Sequence, residues 1–409
     1  MRKLLYLLTV LFAAVCMTTA LTGCGDDGDD QEPTPQPPTP VDTTTTQKPD
    51  PTPDPTPEPT TDATRYVGGD LSMLTKYEEQ QAQYSDKDGQ RIGNVISFLQ
   101  QQGWNTLRIR LFVDPSQDKD KAVVQNLAYV KALGKRIKEA GMFFLLDFHY
   151  SDTWADPGKQ WTPASWLSLT DAQLNTQIYE YTRDCLKELV AAGATPDLIQ
   201  TGNEISYGML WGKEGTNAYR CYTNSPAANW TRFTNLLKQA GKACREVCPQ
   251  AKIILHSERT PNPSVLTDFF DRMKAAYVDY DIIGLSYYSY FHGKLPVLET
   301  ALKQLEAKNY GKAIQIVETG YPSKWEVPGT ETDYTGTYPY SAEGQRKFTA
   351  DLIDLLKSHE QVNGLSWWYA EANAKGTTGD LSTGWYNAGL FDNETGRALP
   401  ALYELQSFK

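Results

Sequence analysis

From position 66 onward, two hydrophobic patterns alternate along the chain. Short runs rich in β-branched and aromatic residues are typical of buried strands, whereas apolar residues at every third or fourth position are typical of amphipathic helices. We predict eight strands, at residues 67–71, 106–112, 142–148, 198–201, 253–256, 282–286, 313–317 and 364–367. The clearest helices are predicted at residues 127–140, 172–192, 232–247, 265–276, 298–307 and 344–357.

Eight strand–helix units in one domain predict an α/β fold of the (β/α)₈ TIM-barrel type. The alternative is an open, doubly wound sheet, which normally carries a glycine-rich phosphate-binding turn after its first strand. The residues at that place, Gly68-Gly69-Asp70, do not form such a motif. We therefore expect a single closed barrel over residues 65–409.

The residues before the barrel carry neither pattern, and residues 1–23 are predicted to be a lipoprotein signal peptide. Two basic residues precede an apolar run at 4–15 that is too short to span a bilayer comfortably. The segment closes with Leu21-Thr22-Gly23-Cys24, which resembles a lipobox. We expect lipidation of Cys24; an ordinary signal peptide or a transmembrane anchor is the alternative.

Residues 24–64 are predicted to be a linker, first acidic and then rich in proline and threonine. This composition cannot bury a core, so the segment should act as an extended spacer. Acidic residues directly behind the lipidated cysteine resemble the export signal of bacterial surface lipoproteins. We therefore expect an outer-membrane lipoprotein on the cell surface rather than one that faces the periplasm.

The net charge of the chain is −11, and most of it belongs to the leader and linker. No basic face is indicated, which argues against nucleic-acid binding. Four cysteines follow the signal, and although export permits disulfides, their pairing does not follow from the sequence. Cys244 and Cys248 have no accompanying histidine pair or second cysteine pair that would complete a zinc site. We expect a monomer without a cofactor.

Polar residues fall at the predicted carboxyl ends of the strands, which line the active site in a TIM barrel. Glu204 follows strand four and Glu318 follows strand seven, and these two strands face each other in a closed barrel. Paired carboxyl groups are what the hydrolysis of a glycosidic bond requires. The further candidates for substrate binding are Asp70, Arg108, His149, Trp154, Asn203, His256, Tyr288 and Trp368.

The two carboxyl groups would need different surroundings. Burial and nearby negative charge would raise the pKa of the acid, whereas hydrogen bonds from Arg108 and a tyrosine hydroxyl would keep the nucleophile ionised. The amide of Asn203 could hold a sugar 2-hydroxyl. The alternative is a purely structural ion-pair network at the mouth of the barrel.

Tryptophans form a second signal for carbohydrate, because sugar rings stack on indole faces and exposed aromatic clusters mark binding sites. As a set they favour a carbohydrate cleft, although packing is the alternative for each one and above all for Trp166. Those predicted in loops or at strand ends are Trp154, Trp161, Trp166, Trp211, Trp367, Trp368 and Trp385.

From about position 66 the chain resembles glycoside hydrolase family 53, the arabinogalactan endo-β-1,4-galactanases. The most specific match is the long run from Asp147-Phe148-His149 through Trp154 to Pro157. The other matching segments are Gly69-Asp70-Leu71-Ser72, Asn105 to Arg110, Gly202-Asn203-Glu204-Ile205, Gly208-Met209-Leu210-Trp211, Gly284-Leu285-Ser286-Tyr287-Tyr288 and Val317-Glu318-Thr319.

The resemblance implies Glu204 as acid/base and Glu318 as nucleophile. It implies sugar contacts, next to the scissile bond, from Arg108, His149, Asn203, Tyr288 and Trp368. The implied reaction is endo-acting hydrolysis of β-1,4-galactosidic bonds in type I galactan with retained configuration. The alternatives are a related β-mannanase or β-1,4-glucanase and a non-catalytic surface glycan-binding lipoprotein.

Three departures from the family pattern stand out. The family usually shows His-Leu-Asp-Asn-Gly after strand five, where this chain has His256-Ser257-Glu258-Arg259. Gly212 follows Trp211 in place of the usual proline. Some bacterial members bind calcium after strand seven, but residues 321–344 lack a spaced cluster of ligands, so we predict no metal.

Overall fold

The computed structural model describes residues 64–118, 120, 122–378 and 386–409. Eight parallel strands pair in chain order and close into a barrel, because the last strand pairs with the first. The predicted TIM barrel is confirmed. The strands are β1 (Tyr66–Asp70), β2 (Thr106–Leu111), β3 (Phe143–Phe148), β4 (Leu198–Thr201), β5 (Lys252–Ser257), β6 (Ile282–Tyr287), β7 (Ala313–Thr319) and β8 (Val362–Trp367).

Helices surround the barrel, and none in the described part of the chain is long and apolar enough to cross a membrane. The short ones, α1, α2, α7 and α10, were not predicted, because four to seven residues are too few to show a helical repeat. The helices are α1 (Leu74–Glu79), α2 (Val95–Gln101), α3 (Leu127–Glu139), α4 (Asp171–Ala191), α5 (Ala227–Val247), α6 (Pro263–Ala275), α7 (Ser289–His292), α8 (Leu295–Lys308), α9 (Ala342–Lys357) and α10 (Pro400–Glu404).

Side-chain caps set the starts of several long helices. Asn126 accepts a hydrogen bond from the backbone of Tyr129 at the start of α3. Thr170 and Gln173 form a reciprocal capping box at the start of α4. These contacts satisfy backbone N–H groups that have no partner within the helix, and so they define where the loops of the active-site face end.

The interior of the barrel follows the two-residue period of its strands. Its base is filled by Tyr66, Leu145, Leu198, Ile254, Ile282 and Val317. Two residues beyond Leu145 lies Asp147, and two residues beyond Ile254 lies His256, both fully buried. Residues two apart on a strand point to the same face. The strand positions that fill the base with apolar side chains therefore continue as polar side chains at the carboxyl end of the barrel.

Strand β7 breaks this alternation near its end. Val317 belongs to the interior cluster, so a regular strand would direct Glu318 to the outer face. The register with β6 shifts here, from Leu285 opposite Ile316 to Ser286 opposite Glu318, and the register with β8 shifts at the same place. This irregularity lets both neighbouring side chains of β7 lie inside the barrel.

The predicted signal peptide, the lipidation site Cys24 and the linker up to residue 63 lie outside the described residues, as does Trp385. Their assignment therefore stays a prediction.

Candidate active site

A cavity of about 410 Å³ opens at the carboxyl ends of the strands. Most of the predicted site residues line it: Arg108, His149, Trp154, Asn203, Glu204, Tyr288, Glu318 and Trp368. They come from β2, β3, β4, β6, β7 and β8 or the loops that follow, which is the convergence that a barrel produces.

Two predicted substrate contacts lie behind the cavity wall. Asp70 and His256 are fully buried and do not border the cavity. Asp70 instead binds the guanidinium groups of Arg108 and Arg110, at 2.9 and 3.1 Å. Strand-end position alone marked these residues, and it does not distinguish a side chain in the cavity wall from one behind it.

Arg108 is the centre of a buried ionic network. Its guanidinium lies 2.9 Å from Asp70, 2.7 Å from Asp147 and 2.7 Å from Glu318. The same group donates to the side-chain oxygen of Asn203 at 2.8 Å. One cation thus faces three carboxylates in a medium of low dielectric, where a charge must be paired to be tolerated.

Glu318 has both carboxyl oxygens engaged. Oε1 lies 2.7 Å from Arg108, and Oε2 accepts a hydrogen bond from the Tyr288 hydroxyl at 2.9 Å. Burial raises the pKa of Glu318 above its ordinary value, and the guanidinium and the tyrosine hydroxyl counteract that rise. Both contacts favour the ionised carboxylate, which is the form that a nucleophile needs.

Glu204 lies in a different setting, on a turn with left-handed backbone angles (φ 49°, ψ 52°) directly after β4. Such a conformation is rare for a residue with a side chain and is held only where the surroundings enforce it. The backbone N–H of Glu204 donates to His256 Nδ1 at 3.2 Å. Oε1 of Glu204 accepts from the Ser286 hydroxyl at 2.6 Å.

His256 therefore influences Glu204 through hydrogen bonds, without bordering the cavity. Burial lowers its pKa well below the ordinary value, so the ring is neutral. Because Nδ1 accepts from the Glu204 backbone, Nε2 carries the proton and donates to Ser286 Oγ at 2.8 Å. The hydroxyl of Ser286 then points its own hydrogen at Glu204. Sequence inspection missed Ser286, although it stands in the family-like segment around Tyr288.

Burial and the negative charges of Glu318 and Glu258 raise the pKa of Glu204 well above its ordinary value, against the lowering effect of the Ser286 bond. No cation contacts this carboxyl among the described ion pairs. Glu204 thus stays protonated at a pH at which Glu318 is ionised. Two carboxyl groups with separated pKa values can serve as acid and nucleophile.

Potential ligand atoms of Glu204, His256 and Glu318 lie within 4.8 Å of one another. In this group the histidine is already bonded on both ring nitrogens, and the Glu318 oxygens face a guanidinium and a phenol. The arrangement is therefore that of two carboxyl groups placed side by side for acid–base and nucleophilic work.

Aromatic side chains form one wall of the cavity. Trp154 and Trp368 are half-buried, with ring centroids 6.4 Å apart, and the Arg110 guanidinium lies 4.5 Å from the Trp154 ring centroid. His149 lies beside them, with Nδ1 accepting from the backbone of Ala155 at 3.0 Å. Their apolar faces suit the C–H face of a sugar ring.

The remaining tryptophans do not support the cleft as a set. Trp166, Trp211 and Trp367 are buried outside the cavity, and the last two donate their indole N–H to backbone carbonyls. Trp161 is half-buried and does not border the cavity either. Packing of the loops accounts for these rings, because loop position alone says nothing about direction.

Several cavity residues were not predicted from the sequence. They come mainly from loops, in which no period indicates the direction of a side chain. Among them are Asp120, Asp156, Lys159, Glu258, Phe291 and His292. The four described cysteines, at positions 185, 221, 244 and 248, are buried free thiols outside the cavity.

A (β/α)₈ barrel with two adjacent carboxyl groups at the carboxyl ends of strands four and seven is the architecture of a glycoside hydrolase. The model of glycosyl hydrolase family 53 matches residues 66–405, and the chain belongs to that family. The resemblance inferred from the sequence is confirmed.

Three similar proteins illustrate the match. An uncharacterized protein of Niallia circulans is 35% identical over 337 residues, which cover 80% of this chain and 89% of that one. The arabinogalactan endo-β-1,4-galactanase of Cellvibrio japonicus is 33% identical over 350 residues, with 82% and 89% covered. The solved GH53 catalytic domain of Ignisphaera aggregans superposes with a TM-score of 0.73 at 30% identity, with 86% and 98% covered.

Proposed function

We propose that this glycoside hydrolase is an endo-acting β-1,4-galactanase that cleaves type I (arabino)galactan, the side chains of pectin. The observation that carries the proposal is its family membership, together with 33% identity to the Cellvibrio japonicus arabinogalactan endo-β-1,4-galactanase over most of both chains. The cavity supports it with two carboxyl groups and an aromatic wall.

Retention of configuration is the second part of the proposal. Retaining enzymes place their carboxyl groups about 5–5.5 Å apart, whereas inverting enzymes need about 6.5–9.5 Å to admit a water molecule. Oxygens of Glu204 and Glu318 lie within 4.8 Å, which supports the retaining geometry. The ionised Glu318 has the surroundings of a nucleophile, and the protonated Glu204 those of an acid.

The reaction then has two steps. Glu318 attacks the anomeric carbon, the glycosidic bond breaks, and the leaving oxygen takes the proton of Glu204. Glu204, now ionised, removes a proton from water, whose oxygen attacks the same carbon and releases Glu318. Asn203 and His149, in the cavity wall, are placed to bind sugar hydroxyls, and Trp154 and Trp368 to stack on the ring faces.

A digest of unbranched β-1,4-galactan tests this function, with β-1,4-mannan and β-1,4-glucan as parallel substrates. We expect galactan to be cleaved fastest, with a mixture of oligosaccharides early in the digest and with β-anomers as the first products in NMR spectra. Faster cleavage of mannan or glucan would favour the related activities. Binding of galactan without any cleavage would favour a surface glycan-binding lipoprotein.

We further propose that the enzyme is a monomer, held at the outer face of the outer membrane by a lipid on Cys24. The lipobox-like segment, the acidic residues behind it and the proline- and threonine-rich linker support the membrane anchor. Cys24→Ala should move the protein from the membrane fraction to the soluble fraction with its hydrolase activity intact. Protease added to intact cells should cleave the wild-type linker. A wild-type protein without lipid, or one protected from protease, would contradict the proposal.

A further inference from the structure

Glu258 is a further carboxyl group in the cavity wall, on the loop beside the one that carries the acid/base. It lies one residue beyond β5, in the segment that departs from the family pattern, and it is 5% exposed. Strands β4 and β5 are paired neighbours, so the loops that carry Glu204 and Glu258 leave the barrel side by side. None of the steps described above uses this residue.

A hydrogen bond ties Glu258 to the turn that bears Glu204. Oε1 of Glu258 accepts from the hydroxyl of Ser206 at 2.5 Å, and both side chains are buried. Ser206 lies two residues after Glu204, in the short 3₁₀ turn that follows the left-handed residue. The bond thus joins the loop after β5 to the strained turn after β4, where a rare conformation needs outside support.

The second oxygen of Glu258 is buried and accepts no hydrogen bond from the described residues. Arg259 lies 3.7 Å from the first oxygen, and its guanidinium lies 4.4 Å from the ring centroid of Tyr207. Burial raises the pKa of Glu258 to about 7, although the Ser206 bond and Arg259 act in the opposite direction. An unpaired carboxylate oxygen is costly in such a place, which favours the neutral acid.

We propose that Glu258 is a positioning residue of the acid/base: through Ser206 it holds the turn that carries Glu204, and its carboxylate charge acts on Glu204. This inference rests on the proposed role of Glu204. The proposal gives a function to Glu258, which lies where this chain differs from the family pattern after strand five.

Other charges around Glu258 also act on the pair. Asp156 and Lys159 face it from the loop after β3, Glu204 from the loop after β4, and Arg259 from its own loop. Glu318 and His292 border the same cavity from β7 and α7. Among these, Glu258 and Glu318 are the nearby carboxylates that contribute most to the raised pKa of Glu204.

The sign of the effect follows from Coulomb's law. When Glu258 ionises, its negative charge opposes a second negative charge on Glu204, so the acid loses its proton only at higher pH. The alkaline limb of kcat/KM reports this loss in the free enzyme. Removing the charge should therefore move the limb to lower pH.

Two variants separate charge from position. Glu258→Gln keeps an oxygen that can accept from Ser206 and removes the charge, so the alkaline limb should move down by about 0.5 pH unit or more. Ser206→Ala keeps the carboxyl group and removes the bond. It should lower kcat about tenfold on galactan, and less on an aryl β-galactoside with a good leaving group, because a misplaced acid matters less there.

Glu371→Gln is the matched control. Glu371 is also a fully buried carboxyl, with its pKa raised to about 8, but it lies after β8 and accepts from the backbone of Met73. Its replacement should leave the alkaline limb in place. If Glu258→Gln folds poorly, Glu258→Asp replaces it: the charge stays and the shorter side chain loses Ser206, so it should behave like Ser206→Ala.

An alkaline limb that is unchanged in Glu258→Gln, or moved equally in Glu371→Gln, would overturn the role of the charge. Equal losses on galactan and the aryl galactoside in Ser206→Ala would overturn the positional role. If the wild-type enzyme cleaves mannan or glucan instead of galactan, the proposed substrate fails, and the same pH profiles are recorded on the glycan that it cleaves.

Discussion

The two carboxyl groups of the cavity occupy opposite kinds of surroundings. Glu318 reaches the cavity through an irregularity in β7 and receives an arginine and a tyrosine hydroxyl. Glu204 sits on a left-handed turn, and among the described residues its carboxyl receives only the hydroxyl of Ser286, with other carboxyl groups nearby. Burial raises both pKa values, and the partners add the difference between them.

This comparison shows how one cavity holds an acid and an anion side by side. A cation and a hydroxyl donor stabilise charge on one carboxyl, while like charges suppress it on the other. His256 takes part without touching the cavity, since it orients Ser286 and the backbone of Glu204 from behind. The difference therefore depends on buried partners as much as on the residues that meet the substrate.

The largest effect is expected when each carboxyl is replaced by its amide. Glu318→Gln should lose about 10⁵-fold in kcat on every substrate, since no nucleophile remains. Glu204→Gln should lose about 10²- to 10⁴-fold on galactan. With an aryl β-galactoside whose leaving group needs no proton, the first step of Glu204→Gln should nearly recover, which burst kinetics can measure. Small and equal losses in both variants would remove the pair from the mechanism.

The sequence predicted the barrel well because its strands are buried on both faces and its long helices are amphipathic. The end of β4 at Thr201 and the start of β6 at Ile282 agree with the prediction. The predicted start of α5 was five residues late, at 232 instead of Ala227, because its first turn after Pro226 is too short to show an apolar repeat of its own.

The site was predicted less completely. Glu204 and Glu318 follow from strand position and motif, and Arg108 and Tyr288 do contact Glu318 as expected. A regular strand, however, would have turned Glu318 away from the cavity, and the register shift that corrects this has no signature in the sequence.

The second prediction concerns the cation that stabilises the charge on Glu318. Arg108→Met leaves Asp70, Asp147 and Glu318 without their shared cation, and the loss of one partner from a buried ionic group costs about 3–5 kcal/mol. Denaturant unfolding should show this loss, and activity should fall with it. Arg136→Met is the control, because its ion pair with Glu78 is partly exposed and worth about 1 kcal/mol or less. Similar losses in both variants would contradict a central role for Arg108.

A smaller effect is expected for Tyr288→Phe, which removes one hydrogen bond to Glu318. Bonds to charged groups contribute about 1.5–3 kcal/mol, so kcat/KM should fall about 10- to 100-fold. The lost bond raises the pKa of Glu318, and the acid limb of the pH profile should move to higher pH. Tyr287→Phe is the control, since that hydroxyl donates to the Gly293 carbonyl. An acid limb that stays in place would show that Tyr288 does not act on the nucleophile.

Ser286→Ala should increase the difference between the pKa values of Glu204 and Glu318. The hydroxyl lowers the pKa of Glu204, so its loss raises that pKa further and moves the alkaline limb to higher pH. We expect a shift of about half a unit and a loss of only a few-fold in kcat. Thr260→Val removes a nearby buried hydroxyl that bonds the Ser286 carbonyl, and it should leave the limb unchanged. A shift to lower pH would contradict the assigned direction of the Ser286 hydrogen bond.

A chelator is expected to change neither the activity nor the melting temperature. A divalent ion between the two carboxyl groups would stabilise charge on both and so cancel their difference. The Arg108 guanidinium, 2.7 Å from Glu318, would repel such an ion, and calcium needs about six to eight oxygen ligands. In the described loop after β7, the candidate calcium ligands are Glu326, Glu331 and Asp333. After β8 they are Glu371 and Asn373, and Asp380 lies outside the described residues.

Retaining hydrolysis itself proceeds with carboxyl groups alone. EDTA should therefore change neither kcat nor the melting temperature. A drop in melting temperature that added calcium reverses would place an ion in these loops, and equal pH limbs for the two carboxyl groups after calcium addition would place it between them.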